Sequence, residues 1–149
     1  MSTPHPWGLR LWSGLASAAT PLAPLLLHQR ARRGKEDKAR LSERLGIAGT
    51  ARPQGALVWI HGASVGESLS ALPLIETLMA EGLKVLVTSG TVTSARILAA
   101  RLPAGAIHQF VPLDIPRAVA RFLDHWHPTL GLFVESDLWP NLILACADR

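Results

Sequence analysis

Residues 56–67, ALVWIHGASVGE, decide the fold. The run at 56–60 is apolar throughout and too short for a buried helix, so it reads as a strand covered on both faces. His61-Gly62 ends the run, and a helical pattern opens near Gly66-Glu67. A strand that hands over to a helix through a short polar, glycine-containing loop is the first half of a βαβ unit.

Outward from this stretch the same alternation repeats. Further strands are expected at 84–88, 106–111 and 130–134, with helices at 66–81, 93–102 and 115–125 and a fourth from about Leu138 to the end of the chain. Strict alternation with right-handed crossovers gives an α/β fold with a doubly wound, mainly parallel sheet. Ligands in such sheets meet the loops beyond the carboxyl ends of the strands. Those loops are His61 to Glu67, Ser89 to Ser94, Pro112 to Asp114 and Glu135 to Pro140, where polar residues and glycine are concentrated.

The 149 residues are 48% hydrophobic, as expected of one globular domain. A single cysteine, Cys146, excludes an internal disulfide and fits a reducing compartment. Lying in an apolar run, it reads as a small buried hydrophobe. The net charge of +4 is unevenly spread, with nine Lys/Arg against three Asp/Glu in residues 1–52 and six against eight in 53–149. A segregated basic segment implies an anionic partner beside it.

Residues 7–27 carry one charge, Arg10, and the sequence HQRARRGK follows at once. An apolar stretch of about 20 residues followed by cations favours a membrane over nucleic acid. Pro21 and Pro24 interrupt it, so the expectation for 1–27 is an apolar anchor helix that lies in the interface or marginally spans. Its charges follow the apolar stretch, which argues against a cleaved leader and export. Residues 28–52 read as a basic membrane-proximal helix and linker, the helix capped at Gly46, in which Arg30, Arg32, Arg33, Lys35, Lys38, Arg40 and Arg44 face an anionic surface or simply solvent. No aromatic residue interleaves these cations, so no nucleic-acid partner is expected.

The loops exclude two familiar phosphate sites. HGASVGE has neither the lysine–hydroxyl pair of a P-loop nor the spacing of a dinucleotide fingerprint. The second strand ends at Thr88-Ser89-Gly90 without an acidic residue for a ribose, which disfavours a nicotinamide cofactor. Glu67 stands at a helix start, where backbone N–H groups lower a carboxyl pKa. It is either an ordinary acidic first-turn residue or a general base beside a loop that Gly62 and Gly66 keep open. Glu135 and Asp137 form an acid-x-acid pair that could ligate a metal, although Asp137 equally suits an N-cap before Pro140. Ser64 and His61 lack the spacing of a hydrolase elbow. His108, His125 and His127 have no metal-ligand spacing and read as surface or cap residues.

Ordered blocks in this chain resemble the 3-deoxy-D-manno-octulosonic acid (Kdo) transferase family. They are the apolar amino terminus, a basic linker ending Ser42-Glu43-Arg44-Leu45-Gly46, then WIHGASVGE, VTSGTVTSA, FVPLDIP and ESDLWPNL. The resemblance implies the Rossmann-like amino-terminal half of a GT-B glycosyltransferase, with residues 53–149 as an incomplete acceptor-binding domain. A second domain, expected to be absent from this chain, would bind CMP-Kdo, so the chain alone is expected to be inactive. It implies Glu67 as catalytic base and Glu135 as a second acidic catalytic position. Gly66, Ser64, His61, Arg30, Arg32, Arg33 and Lys35 form the implied acceptor-binding set. The implied acceptor is a lipid A precursor, lipid IVA, at the cytoplasmic face of the bacterial inner membrane, with no cofactor and no metal. The competing expectation is a non-enzymatic α/β module that docks on anionic lipid or a partner protein.

Overall fold

The computed structural model describes residues 7–134 and 139–149. Four strands, β1 (Leu57–Gly62), β2 (Lys84–Ser89), β3 (Ile107–Phe110) and β4 (Leu130–Val134), form one sheet in the order β3-β2-β1-β4. Every pairing is parallel, with Ile60 beside Val87 on one side and beside Leu132 on the other. All six residues of β1 are buried, as the apolar run requires of a central strand.

The period of two divides the strand side chains between two helical layers. Val58, Ile60, Val85 and Val87 pack with Ala71, between α4 (Val65–Ser70) and α5 (Leu72–Ala80), Ile75 of α5 and Leu98 of α6 (Val92–Arg101). Leu57, Trp59 and Leu86 face the other way, onto Val119, Phe122, Leu123 and Trp126 of α7 (Pro116–Trp126) and Leu142 of α8 (Pro140–Ala147). Trp59 is fully buried there, edge-on to Phe122 and Phe133 at centroid distances of 5.0 and 5.1 Å. The chain runs from β1 through β2 to β3, then returns to the far side of β1 as β4. The order of strands therefore reverses between β1 and β4, at the position where doubly wound sheets bind ligands.

Two expectations are corrected here. The helix expected at 66–81 is two helices, because Pro73 in the first turn of α5 has no N–H to continue the ladder of α4. The expected anchor is α1 (Trp7–Ala18), a 3-10 turn at Thr20–Leu22 and α2 (Ala23–Arg32). No helix among the described residues is long and apolar enough to cross a membrane. Pro21 and Pro24 stand in the first turns of the 3-10 element and of α2, where each starts a new helical segment at the expense of a long one.

The amino-terminal arm lies against the α/β unit. Trp12 Nε1 donates to Asp114 Oδ2 at 2.8 Å, and the Ser13 hydroxyl donates to Asn141 Oδ1. Ala23 is buried with Ile115 and Ala118. The basic stretch also differs from one continuous helix. After Gly34, at φ +72°, comes a 3-10 turn at Lys38–Arg40, then α3 (Leu41–Arg44), closed by Gly46 at φ +79° as the sequence indicates. A Cβ at Gly46 would overlap the carbonyl oxygen of Ala118 and come within 2.8 Å of its carbon, so this position needs glycine for space as well as conformation.

Candidate active site

The carboxyl end of β1 runs into α4 through Ala63 and Ser64. Ser64 is the N-cap in extended conformation, and its Oγ accepts from Glu67 N at 3.3 Å. Glu67 replies with its carboxylate, completing a capping box. Oε1 accepts from Ser64 Oγ at 2.8 Å, while Oε2 accepts from the amides of Ala63 at 2.7 Å and Ser64 at 3.3 Å. The Ser64 hydroxyl is the main reason that the Glu67 pKa falls below the ordinary glutamate value; partial burial opposes it, and the two amides and His61 reinforce it. Glu67 is half-buried, so an ionised, oriented carboxylate stands within reach of solvent at the ligand edge of the sheet.

The glycines of this loop serve different ends. A Cβ at Gly62 would lie 3.0 Å from Ser68 N and 3.1 Å from Ser68 Oγ, so α4 packs tightly on β1 at this glycine. A Cβ at Gly66 would meet nothing within 4 Å, so the space above it is open. His61 lies beneath the loop at 1% exposure, its Nδ1 2.9 Å from Thr88 Oγ1 and its ring edge-on to Phe133. Trp59 Nε1 donates to the same hydroxyl at 2.8 Å. The structure thus places Ser64, Gly66 and Glu67 at the surface of one loop and His61 under it.

The basic residues divide. Arg32, Arg33 and Lys35 are exposed, and Arg30 is half-exposed with its Nε 2.9 Å from Glu36 Oε1. These four lie on or just beyond α2, apart from the Glu67 loop in sequence. Arg40 and Arg44 point inward, contrary to a solvated or membrane-facing row. Arg40 grips both oxygens of buried Glu43 at 2.8 Å, and Glu43 Oε2 also accepts from Phe110 N at 2.8 Å. Both guanidinium groups stack on Phe110, at 4.7 and 5.2 Å from the ring centroid. Such carboxylates buried beside arginines are what turn these cations inward.

His108 is likewise no surface residue. Arg40 Nη2 stands 3.0 Å from its Nδ1, and Ser89 Oγ stands 2.9 Å from its Nε2. Burial first, and the Arg40 charge second, lower its pKa to about 4, so the ring is neutral at physiological pH and Nε2–H donates to Ser89. His125 Nε2 meets Thr50 O at 2.9 Å, and His127, at φ +39°, caps α7 as expected. Among the described residues no three His, Cys, Asp or Glu side chains converge as a metal site.

Glu135 follows Val134, whose register partner is Gly62 of β1, and lies outside the described residues together with Asp137. The N-cap position of α8 is Trp139, because Pro140 opens the helix. The carboxylate that serves its first turn is Asp114, which accepts from Asn141 N at 3.2 Å and Leu142 N at 3.0 Å. A cavity of about 580 Å³ runs beside β4, between Phe133, Leu130, Ile143 and Cys146, and Glu67 does not line it. Cys146 is half-buried, and burial raises its thiol pKa.

Three of these arrangements escaped the sequence reading. The capping box has a sequence signature, Ser-x-x-Glu at 64–67, that identifies it directly. The inward turn of Arg40 and Arg44 left only a faint mark, the acidic residues Glu36 and Glu43 set among cations. Asp114 as the partner of α1 and α8 had no local signal, since its partners are 102 and 27 residues away.

A parallel sheet with polar loops at its carboxyl edge and a reversal of strand order between β1 and β4 define an α/β domain of the doubly wound class, in which ligands meet that edge. The chain belongs to the 3-deoxy-D-manno-octulosonic-acid transferase (kdotransferase) family, whose profile matches residues 39–149. It is 40% identical over 140 residues to a probable mitochondrial 3-deoxy-D-manno-octulosonic acid transferase of Arabidopsis thaliana, covering 93% of this chain and 31% of the relative. The Rickettsia bellii 3-deoxy-D-manno-octulosonic acid transferase is 40% identical over 143 residues, 95% of this chain and 34% of its own length. That of Bordetella pertussis is 38% identical over 133 residues, 84% of this chain and 31% of its own. The chain spans about a third of the length of these curated relatives.

Proposed function

We propose that this chain is the acceptor-binding part of an inverting GT-B Kdo transferase in lipopolysaccharide biosynthesis. Glu67 accepts the proton of an acceptor hydroxyl while that oxygen attacks the anomeric carbon of Kdo. The bond from that carbon to the CMP phosphate breaks with its electron pair going to phosphate, and CMP leaves with inversion at the carbon. The acceptor is a lipid A precursor such as lipid IVA, approaching over open Gly66, with Ser64 holding the base. His61, buried on Thr88, supports the loop from below in this scheme. Glu135 supplies a second acid from the β4 side, CMP-Kdo is held by a second domain, and no cofactor takes part.

The observation that carries this reading is the Glu67 carboxylate, ionised, half-buried and fixed by three donors beside the strand-order reversal. Such a group can take a proton as a bond forms without any rearrangement of its own. The donors that fix it also lower its basicity, so its contribution comes from position more than from proton affinity.

The surface of the arm supports a location at a membrane. Trp7, Leu11, Trp12, Leu15, Leu22, Leu25 and Leu26 are all exposed, Trp7 at 78% and Leu25 at 70%. With Arg32, Arg33 and Lys35 beside them, these side chains suit a helix pair lying in the interface of an anionic bilayer, at the cytoplasmic face of the inner membrane. The same surface is what favours the second reading, a docking module without catalysis.

Kdo transfer from CMP-Kdo to lipid IVA by the full-length protein separates the two. Glu67→Ala and Glu67→Gln abolish turnover if the enzyme reading holds, and Gln, which is also found in capping boxes, preserves the loop. Near-normal turnover in both variants removes Glu67 from the mechanism.

A further inference from the structure

The linker that reads as a basic surface is fastened beneath the site. Arg44 is buried, and its guanidinium contacts three groups at once. Nε donates to Glu36 Oε2 at 2.9 Å, Nη1 donates to Val111 O at 3.0 Å, and Nη2 donates to Gly90 O. Glu36, also buried, uses its other oxygen to accept from Arg30 Nε at 2.9 Å, so one carboxylate ties the end of α2 to Arg44. The main chain of Arg44 joins in as well, its carbonyl accepting from Leu113 N at 2.8 Å.

The two carbonyls that Arg44 holds stand at the carboxyl ends of β2 and β3, on the edge that carries Glu67. Gly90 in turn lies near the Glu67 loop, where a Cβ built on it would stand 3.6 Å from Ala63 O. Ala63 is also the residue whose amide makes the shortest hydrogen bond to the Glu67 carboxylate, at 2.7 Å. Hydrogen bonds therefore run from Arg30 through Glu36 and Arg44 to Gly90, which neighbours Ala63, the residue whose amide donates to Glu67.

We propose that Arg44, oriented by Glu36, is a positioning residue that sets the height of the Gly90 turn against Ala63 and so the placement of the Glu67 carboxylate. The inference rests on the reading of Glu67 as proton acceptor. Buried ion pairs are poor devices for stability, and apolar residues of similar volume often replace them without loss. What apolar residues cannot do is hold two loop carbonyls and a carboxylate at a fixed spacing. A planar fork of five N–H donors can, and a lysine ammonium, a compact point charge, cannot match that geometry. The stack of Arg44 on Phe110 of β3, 5.2 Å from the ring centroid, holds the fork flat against the sheet.

The test uses Arg44→Lys and Glu36→Gln in the full-length protein, with amide hydrogen exchange and Kdo transfer read side by side and Glu67→Gln as the control. In both variants, exchange at 62–66 and 89–92 rises about tenfold while 57–60 and 84–87 hold their protection, because loosening is local. Turnover per folded molecule falls about tenfold, the kind of loss that a small misplacement of a reacting group produces. A purely structural role moves protection across the whole sheet in parallel, and that result overturns the inference. Unchanged exchange at 62–66 with normal turnover, beside an inactive Glu67→Gln, overturns this inference alone. Full turnover in Glu67→Gln overturns the role of Glu67 and this inference with it.

Discussion

Ser64→Ala tests how the loop holds its carboxylate. The substitution deletes the hydroxyl that donates to Glu67 Oε1 at 2.8 Å and accepts from Glu67 N at 3.3 Å, while the Ala63 and Ser64 amides keep their bonds to Oε2. Loss of a serine N-cap costs about 1 kcal/mol, which in a chain of this size lowers the melting midpoint by about 3 °C. The electrostatic consequence is separable from that loss. Ser64 is the largest cause of the lowered Glu67 pKa, so without it the pKa rises toward the ordinary glutamate value. A carboxylate whose folded pKa is lowered contributes stability that is fully present above its unfolded pKa and is lost as pH falls through the folded one. The variant is therefore more destabilised at about pH 7 than at a pH below the folded Glu67 pKa, where the carboxyl is protonated in both proteins. Side-chain carboxyl NMR titration of Glu67, paired with thermal melts across that range, reads both effects. An unmoved Glu67 titration, with a stability loss that is the same at both pH values, refutes the reasoning.

Other outcomes follow from the same contacts. Gly46→Ala places a Cβ on the Ala118 carbonyl in a left-handed conformation, and a loss of about 3 kcal/mol or more is expected in denaturant melts. A loss below about 1 kcal/mol would mean that α3 does not close onto α7 as described. Charge reversal of Arg32, Arg33 and Lys35 weakens flotation with anionic liposomes by more than tenfold, at about 1 kcal/mol for each cation near the surface. Flotation that is unchanged removes the electrostatic part of docking. Asp114→Ala strips acceptors from Trp12, Asn141 and Leu142 together, so α1 and the first turn of α8 lose protection in hydrogen exchange before the sheet does. Equal loss across the sheet contradicts that link.

The sheet was legible because β1, β2 and β4 are built on apolar runs, although His108 and Gln109 interrupt β3, and the alternation with helices left one topology class open. Val58 and Trp59 show what that reading lacks: adjacent apolar residues enter opposite cores, and only the register decides which. The position of the Glu67 loop at the carboxyl edge of the sheet was legible too, since β1 hands over to a helix there. The arm is not one long helix, for a physical reason. Residues 7–27 have the composition of an anchor, but Pro21 and Pro24 reset the helix twice, and the apolar faces that suggest a span are left on short helices, of which α1 lies against α7 and α8. Charge was the least legible feature. Arg32 and Arg44 look alike in sequence, yet one is exposed and the other is buried, because the partners of Arg44 at Gly90 and Val111 are 46 and 67 residues away.

The most direct measurement is the rate of Kdo transfer to lipid IVA by the full-length Glu67→Gln protein, expressed per folded molecule at saturating CMP-Kdo. Loss of a positioned general base predicts a fall of about 10²- to 10⁴-fold with the amide signals of Ala63 and Ser64 still in place. A rate within about threefold of the unsubstituted protein would contradict the assignment of the proton to Glu67.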